Sequence, residues 1–352
     1  MARSMRLFLI RHGETVDNVA RLYAGSRDSA LTNHGYQQAM RLGQHLKALG
    51  LKFTHLFSSH LQRAAKTAGL IRKGQMPPKD DTEAARDVPE VIQLRILMEQ
   101  DFGDLEGKKW TDIQAELQNK PGFVAVETKE AMGRRADTFF DEHLLPLLNN
   151  SMDGCDPVVA IVSHGIFLST LWKRFLRRLP ARGVSLSSEL QSTARPSLEH
   201  LGGWSNTGYL ELHMTRTEAE KSFPVADAAP SATSKPDVSQ PVKATPDDTI
   251  GAVEIPQAAT QEATGKVEAS IAPTNDGAKV DNATPAAAAP LTPTISCSSG
   301  PCIARCWNTT ILTINGKDHL KGLKRTGGGV GSSRHDASQK GIESFFKRLK
   351  VD

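Results

Sequence analysis

Long apolar runs, a cysteine framework and a strong charge of one sign are all missing from this 352-residue sequence. No stretch approaches the roughly 18 consecutive apolar residues that a membrane helix needs, and the apolar run after Arg6 is too short for a signal peptide. Four cysteines are too few for a disulfide scaffold, and a formal net charge of +4 does not by itself predict direct binding to nucleic acid. We therefore expect a soluble intracellular protein that does not enter a membrane.

Aromatic residues are scarce, and their distribution divides the chain. They make up 5% of the sequence, and none occurs between Phe223 and Trp307. Residues 223–302 contain 11 of the 19 prolines and carry a net charge of −5, whereas residues 303–352 carry +6. A Pro/Ala/Thr-rich stretch buries too little apolar surface to offset its ordering entropy. We predict a domain over residues 1–222, a disordered acidic linker over 223–302 and a basic tail over 303–352.

Short apolar runs alternate with helical patterns inside this domain. Runs typical of strands occur at residues 6–10, 54–58, 91–97, 158–162 and 209–214. Apolar residues at helical spacing predict a helix that begins after Thr32 and stops at Gly50. Further helices are predicted at residues 60–72, 111–118, 128–148 and 166–177. The alternation predicts an α/β fold, a three-layer sheet with helices on both faces, followed by the linker and tail.

Two of the predicted strands end in a histidine that is followed by glycine. His12 comes soon after residues 7–10, and His164 comes soon after residues 158–162. In open α/β sheets, ligands bind beyond the carboxyl ends of the strands. The sequence therefore predicts that both histidines belong to one site.

Several short blocks follow one another along the domain. In chain order they are Arg11-His12-Gly13-Glu14-Thr15 with Asn18, Ala30-Leu31-Thr32 through Gly35, Gln38 and Ala39, Ser58-Ser59-His60-Leu61-Gln62-Arg63-Ala64 with Thr67-Ala68, Leu97-Met98-Glu99-Gln100-Asp101-Phe102-Gly103 with Glu106-Gly107, Ser163-His164-Gly165, and Ser205-Asn206-Thr207. Their order resembles that of the histidine phosphatase superfamily, which contains cofactor-dependent phosphoglycerate mutases and fructose-2,6-bisphosphatases. The resemblance extends from residue 7 to about residue 212 and implies a phosphoglycerate mutase-like fold.

The resemblance also implies a role for each residue of the site. His12 is the expected nucleophile, which forms a phosphohistidine, and His164 is expected to donate a hydrogen bond to a phosphate oxygen. Glu99 would protonate the leaving oxygen and then deprotonate the attacking water. The remaining residues that are expected to bind substrate or phosphate are Arg11, Gly13, Asn18 and Arg63.

The residue types fit the chemistry of phosphoryl transfer. This reaction depends on neutralising charge on the equatorial oxygens, and guanidiniums such as those of Arg11 and Arg63 bind oxygen pairs in a forked geometry. A phosphorylated substrate, most simply a small molecule, is expected, with neither a metal nor a cofactor. Asp101 and Glu106 remain alternatives to Glu99, because the block could be shifted by a residue or two.

Two reactions are open to such a site, and a phosphatase is favoured over a mutase. The block with Phe102-Gly103 and Glu106-Gly107 is more similar to phosphatase members than to the His-Tyr-Gly form of the mutases, and no tryptophan precedes Asn18. A phosphoglycerate mutase-type phosphotransferase remains the alternative. So does a non-catalytic domain that serves as a phosphate-binding scaffold.

The basic tail contains a second motif, at residues 339–346. Ile342, Phe345 and Phe346 are spaced so that one helical turn would gather them, and Gln339 precedes them as a polar anchor. These four residues resemble the PIP box, the peptide that binds the eukaryotic DNA sliding clamp (PCNA). The resemblance implies clamp binding and a location in the nucleus as well as the cytoplasm. A terminal amphipathic helix that packs on the protein's own domain is the alternative.

Other features of the tail and the domain give weaker indications. Cys297, Cys302 and Cys306 lie close together, but their spacing matches no standard zinc motif, and only His319 or His335 could complete a set. Residues 307–316 predict a small hairpin around the Asn-Gly turn. The segments that determine substrate specificity are expected at residues 108–140 and 180–203, which carry no recognisable motif.

Overall fold

The computed structural model describes residues 3–76, 88–109, 121–149, 156–180, 182–192, 197–216, 306–327 and 329–336. Four predictions lie outside these ranges: the helix at 111–118, the disordered linker at 223–302, the motif at 339–346, and the cysteines at 297 and 302.

Seven strands of the described residues form one mixed sheet in the order β3-β2-β4-β1-β6-β7-β5. The strands are β1 (Ser4–Arg11), β2 (His55–Ser59), β3 (Val91–Leu94), β4 (Val158–Ser163), β5 (Val184–Leu186), β6 (Tyr209–Arg216) and β7 (Trp307–Gly316). Strands β1 to β4 run parallel, β6 pairs antiparallel with both β1 and β7, and β5 runs parallel to β7. The five predicted strands are therefore confirmed, and all of them belong to one sheet.

The helices pack on both faces of this sheet. They are α1 (Val16–Ala20), α2 (Asn33–Ala48), α3 (Gln62–Gln75), α4 (Lys129–Phe139), α5 (Leu145–Asn149), α6 (Gly165–Arg178) and α7 (Ser188–Gln191). Helix α2 begins after Thr32, whose hydroxyl accepts the N–H of Gly35, and Gly50 follows its end with a left-handed φ of 73°. None of the described helices is long and apolar enough to span a membrane.

Alternating side chains of β1 divide the core into two layers. Leu7 and Leu9 belong to the cluster that contains residues of α4 and α6, such as Phe139 and Trp172. Phe8 and Ile10 belong to a second cluster with residues of α2 and α3, namely Leu42, Leu46, Ala64 and Ala68. Because successive side chains of a strand point to opposite faces, this pattern requires helices on both sides. The predicted three-layer α/β fold, with helices on both faces of the sheet, is confirmed.

Two predicted elements differ in detail from the observed ones. Strand β3 ends at Leu94, not at residue 97, and a 3₁₀ turn follows it; there Arg135 donates to the carbonyl oxygens of Ile96 and Met98. The helix predicted at 128–148 consists of α4, a π-helical turn and α5. Pro146 lies in the first turn of α5 and lacks an N–H for the ladder, which accounts for the irregular turn before it.

The hairpin predicted at residues 307–316 is wrong, because this segment forms the single strand β7. Its partner is β6, with Arg216 opposite Trp307, although residues 217–305 separate the two strands in sequence. Trp307 and Ile311 are buried in the same cluster as Leu7. The boundary predicted after residue 222 therefore separates β7 from the sheet to which it belongs.

Residues 317–327 and 329–336 follow β7 and lie along α2, from His319 beside His45 to His335 beside Asn33. The guanidinium of Arg325 pairs with the carboxylate of Glu14 through both of its amino groups. The His335 ring stacks on Tyr36, with the ring centroids 3.8 Å apart. This part of the predicted tail thus packs against the residues that follow His12.

Candidate active site

The two histidines lie side by side at the carboxyl ends of neighbouring parallel strands. Arg11 of β1 is opposite Ser163 of β4, so the next residues along each strand are His12 and His164. Their ring centroids are 5.0 Å apart. This register brings the two rings together at one edge of the sheet.

His12 is held in one neutral tautomer. Its Nδ1 lies 2.7 Å from the carbonyl oxygen of Gly13, an acceptor only, so Nδ1 carries the proton and Nε2 carries a lone pair. The side chain is 4% exposed. Burial, and after it the charges of Arg63 and Arg11, hold the pKa of His12 well below its usual value. The ring is therefore uncharged at neutral pH, with a lone pair on Nε2.

His164 is held in the opposite tautomer. The Nε–H of Arg63 donates to its Nδ1 over 3.1 Å, so the proton of the neutral ring is on Nε2. This Nε2 is buried and has no hydrogen-bond partner among the described residues. Burial and the charge of Arg63 lower the pKa of His164 well below its usual value. The ring therefore presents a neutral N–H donor beside His12.

These tautomers predict the behaviour of both rings in solution. In ¹⁵N-labelled free protein, we expect His12 to keep its proton on Nδ1 and His164 to keep its proton on Nε2 as the pH falls from about 8 to about 6. The reason is that both pKa values are held well below 6.5. In urea, both rings should titrate near the ordinary value of about 6.5. An imidazolium signal from either ring in the folded protein over this range would contradict the lowered pKa values of His12 and His164.

Arg63 is fixed by the backbone of the loop between α1 and α2. Its amino groups donate to the carbonyl oxygens of Ala24, Gly25 and Arg27 at 2.7 to 3.0 Å. Glu106 holds the same loop, because its carboxylate accepts the N–H groups of Gly25, Ser26 and Arg27. The guanidinium is 99% buried as a result, and its plane is set before any substrate binds.

Arg11 is the second arginine close to His12. Its Nη1 donates to the carbonyl oxygen of Trp204 over 2.6 Å, and its Nε is buried without a partner among the described residues. The unpaired Nε–H of Arg11 and Nε2–H of His164 are therefore the two donors that a bound anion could satisfy.

Glu99 is anchored at the amino end of α6. Its carboxylate accepts the N–H of Phe167 at 2.8 Å and the N–H of Ile166 at 3.2 Å, two of the four donors that a helix leaves unpaired in its first turn. Of the three carboxylates in this block, Glu99 lines the cavity. Asp101 caps its own turn through the N–H of Gly103, and Glu106 holds the loop around Arg63. The geometry therefore favours Glu99 over the two alternatives.

Asn18 and Gly13 have different surroundings. The Oδ1 of Asn18 accepts the amide of Asn206, and the residue lines the cavity. The N–H of Gly13 donates to the hydroxyl of Thr67 over 3.1 Å, so it is not aimed at the cavity. A Cβ on Gly13 would lie 2.6 Å from the carbonyl oxygen of Gly35. Gly13 is thus required for close backbone packing, which differs from the predicted phosphate contact.

The cavity in front of His12 has a volume of about 440 Å³. Arg11 and Arg63 are the cations among its described lining residues, and Glu99 is the carboxylate. The rest of the wall is mainly apolar and includes Leu22, Tyr23, Ala24, Phe102, Ile166 and Trp204, together with the hydroxyl of Ser169. Among the described residues, no group of three or more His, Cys, Asp or Glu side chains is arranged to hold a metal ion.

Residues 7–200, more than half of the chain, match the family model of the histidine phosphatase superfamily (branch 1). The chain belongs to this superfamily. Two curated relatives are named 2,3-bisphosphoglycerate-dependent phosphoglycerate mutase. The one from Bartonella quintana (strain Toulouse) is 34% identical over 47% of this chain and 78% of its own length, and the one from Xanthobacter autotrophicus is 33% identical over 53% and 88%.

The fold is also similar to those of solved structures. A mycobacterial glucosyl-3-phosphoglycerate phosphatase is 23% identical, with a TM-score of 0.44 over 60% of this chain and 91% of its own. A putative α-ribazole-5'-P phosphatase from Escherichia coli K-12 is 25% identical, with a TM-score of 0.41 over 59% and 90%.

Three features of this histidine phosphatase site were not predicted from the sequence. The first is the apolar wall, in which Trp204 is oriented by a hydrogen bond from its Nε1 to Ser169. The second is the network of carbonyl groups around Arg63. The third is the packing of residues beyond 305 near the site, where Arg325 pairs with Glu14 and His335 stacks on Tyr36. Only the apolar wall had a signal in the sequence, which is the position of Trp204 directly before the Ser205-Asn206-Thr207 block.

Proposed function

We propose that this protein is a phosphatase that hydrolyses a phosphate monoester through a phosphohistidine on His12. The observation that carries the proposal is the pair of fixed tautomers. The lone pair of His12 Nε2 and the N–H of His164 Nε2 are set in one buried site between two guanidiniums. A nucleophile and the donors for a phosphate are thereby positioned before substrate arrives.

Each half of the proposed reaction uses the same groups. Nε2 of His12 attacks phosphorus, the bond to the ester oxygen breaks, and Glu99 supplies the proton that this oxygen takes away. A water then attacks the phosphohistidine, and Glu99 takes up one of its protons. Inorganic phosphate leaves, and His12 regains its lone pair. Arg11 and His164 stabilise the charge on the phosphoryl oxygens in both transition states.

The lining of the cavity favours hydrolysis over phosphoglycerate isomerisation. A phosphoglycerate carries a carboxylate in addition to its phosphate, so its binding calls for a cation away from His12. Within the described part of the lining, the cations are Arg11 and Arg63, both near His12, and the rest of the wall is mainly apolar. This wall suits an ester whose alcohol part is largely apolar. The mutase names of the curated relatives make isomerisation the alternative reaction.

The test compares the two reactions on one preparation of the full chain. We expect inorganic phosphate to be released from a panel of phosphate monoesters, with aryl and alkyl esters among the better substrates. The same protein should convert 3-phosphoglycerate to 2-phosphoglycerate slowly or not at all, with or without added 2,3-bisphosphoglycerate. Brisk isomerisation without release of phosphate would overturn the proposal.

A second function, binding to the DNA sliding clamp, is favoured by the motif at residues 339–346. Gln339, Ile342, Phe345 and Phe346 occupy the four defining positions of a PIP box. We propose that these residues bind PCNA and bring the protein to the nucleus. In calorimetry, a peptide of residues 337–352 should bind the clamp, and the same peptide with Phe345→Ala and Phe346→Ala should not. A scrambled peptide of equal charge is the control, and equal binding by all three peptides would disprove the idea.

A further inference from the structure

Residues 205–208 hold the peptide that carries the nucleophile. The N–H of Thr207 lies 3.1 Å from the carbonyl oxygen of Arg11 and 3.2 Å from that of His12. The side-chain amide of Asn206 donates to the same His12 oxygen over 3.2 Å. The N–H of Arg11 in turn donates to the carbonyl oxygen of Gly208. The position of His12 therefore depends on the conformation of this segment.

Thr207 adopts a backbone conformation that it does not favour. Its φ is 56°, in the left-handed region, where a β-branched residue is strained. The residue is fully buried, with no exposed surface. Such a conformation persists only where surrounding contacts hold it.

One of these contacts comes from His319, which follows β7. Its Nε2 lies 2.8 Å from the hydroxyl oxygen of Thr207. Because this hydroxyl donates its single proton to the carbonyl oxygen of Asn206, it accepts from His319, whose ring therefore has its proton on Nε2. Burial, and after it the neighbouring His45, lowers the pKa of His319 to about 4, so the ring is neutral at pH 7.

A second contact comes from Asn315, at the end of β7. Its Oδ1 accepts the N–H of Ser205 over 2.9 Å, and its Nδ2 donates to the hydroxyl of Ser205 over 3.1 Å. Asn315 itself has a left-handed φ of 49°, which asparagine tolerates better than most residues. Ser205 and Thr207 of the strained turn are therefore both held by residues at, or just after, the end of β7.

We propose that His319 and Asn315 are positioning residues for the phosphoryl-transfer site. They act through residues 205–207 to fix the backbone of His12, and neither of them lines the cavity. Because residues 217–305 separate them from the rest of the site, the matching family region at 7–200 does not include them. This inference rests on the proposed phosphohistidine chemistry.

The experiment measures turnover of p-nitrophenyl phosphate and single-turnover phosphorylation of His12 in the full chain. We expect His319→Leu, which removes the N–H donor, to lower kcat and the phosphorylation rate by roughly 10- to 100-fold, since small misplacements of a reacting group have effects of this size. KM should change by less than about threefold, because His164, one of the two proposed donors to the phosphate, is held by Arg63 independently of the turn. His319→Gln, which keeps a donor, should restore most of the rate.

Two controls separate positioning from general damage. His335→Leu alters another histidine of the same segment, one that stacks on Tyr36 and does not contact residues 205–208. This variant should keep the wild-type kcat. Thr207→Val removes the acceptor of His319, so the double variant with His319→Leu should be no slower than the worse single variant.

The outcomes distinguish the inference from the proposed function. If the wild-type chain forms no acid-labile phosphohistidine and releases no phosphate, the proposed function fails. If the wild type is active and folded His319→Leu keeps its kcat within about twofold, the positioning role fails. The role also fails if the effects of His319→Leu and Thr207→Val multiply in the double variant, or if His319→Gln is as slow as His319→Leu.

Discussion

His12→Gln is expected to reduce phosphate release from monoesters by at least about 10⁴-fold, the order of magnitude seen when a covalent nucleophile is removed. Glutamine has a similar reach and can still donate to the carbonyl oxygen of Gly13, but it offers no ring nitrogen with a lone pair to attack phosphorus. The measurement is the initial rate of phosphate release, together with acid-labile labelling of the protein in single turnover.

The matched control for this variant is His213→Gln. His213 lies on β6 and does not line the cavity, so its replacement should leave the rate unchanged. Labelled phosphate that persists on the His12→Gln variant would assign the nucleophile to another residue. If neither the wild type nor the variant is labelled and neither releases phosphate, the domain acts as a phosphate-binding scaffold.

Ending the chain after residue 222 is expected to prevent the domain from folding. This truncation removes Trp307 and Ile311, which are 3% and 0% exposed in the core. Burial of two such side chains contributes roughly 3–6 kcal/mol, similar to the whole stability of a marginal domain, which is about 5–15 kcal/mol. It also leaves β6 as an unpaired edge along its full length. We expect no cooperative thermal transition, and aggregation on expression.

A second deletion provides the comparison for this truncation. Because Arg216 and Trp307 are directly opposite each other, residues 217–306 can be replaced by Asn-Gly, a two-residue turn that suits an antiparallel pair. The resulting chain keeps β7 and should unfold cooperatively and hydrolyse p-nitrophenyl phosphate at a rate close to that of the full chain. A truncated chain that folds and is active would show that β7 is dispensable.

The sequence predicted the part of the fold that local patterns determine. β1, β2 and β4 are short apolar runs that are buried on both faces, and helix α2 has a recognisable cap at Thr32. Strand β7 also has a visible pattern, but its partner lies about 90 residues earlier in the chain. The Asn315-Gly316 pair was interpreted as a hairpin turn, whereas Asn315 ends the strand and holds Ser205. Local patterns cannot identify a partner at that distance.

At the candidate site, residue identity was predictable and geometry was not. The order of the blocks was sufficient to select His12, Arg63, Glu99 and His164, which the structure brings together around one cavity or in direct contact with its residues. The tautomers depend on which neighbouring atom lies within hydrogen-bond distance of each ring nitrogen. The orientation of Arg63 likewise depends on which backbone carbonyl groups lie near its guanidinium. Such contacts come from loops that are distant in sequence, so no spacing rule reveals them.

The pairing of Arg216 with Trp307 has a consequence during synthesis of the protein. Ribosomes add about 5–20 residues per second, so β7 emerges on the order of 5–20 s after β6. Until then β6 has no outer neighbour, and the turn at Thr207 lacks the donor from His319. A nascent or prematurely terminated chain therefore carries His12, Arg63 and His164 without the contacts that align them. Under the proposed mechanism, we expect full activity only after residue 319 has been added and β7 has paired with β6.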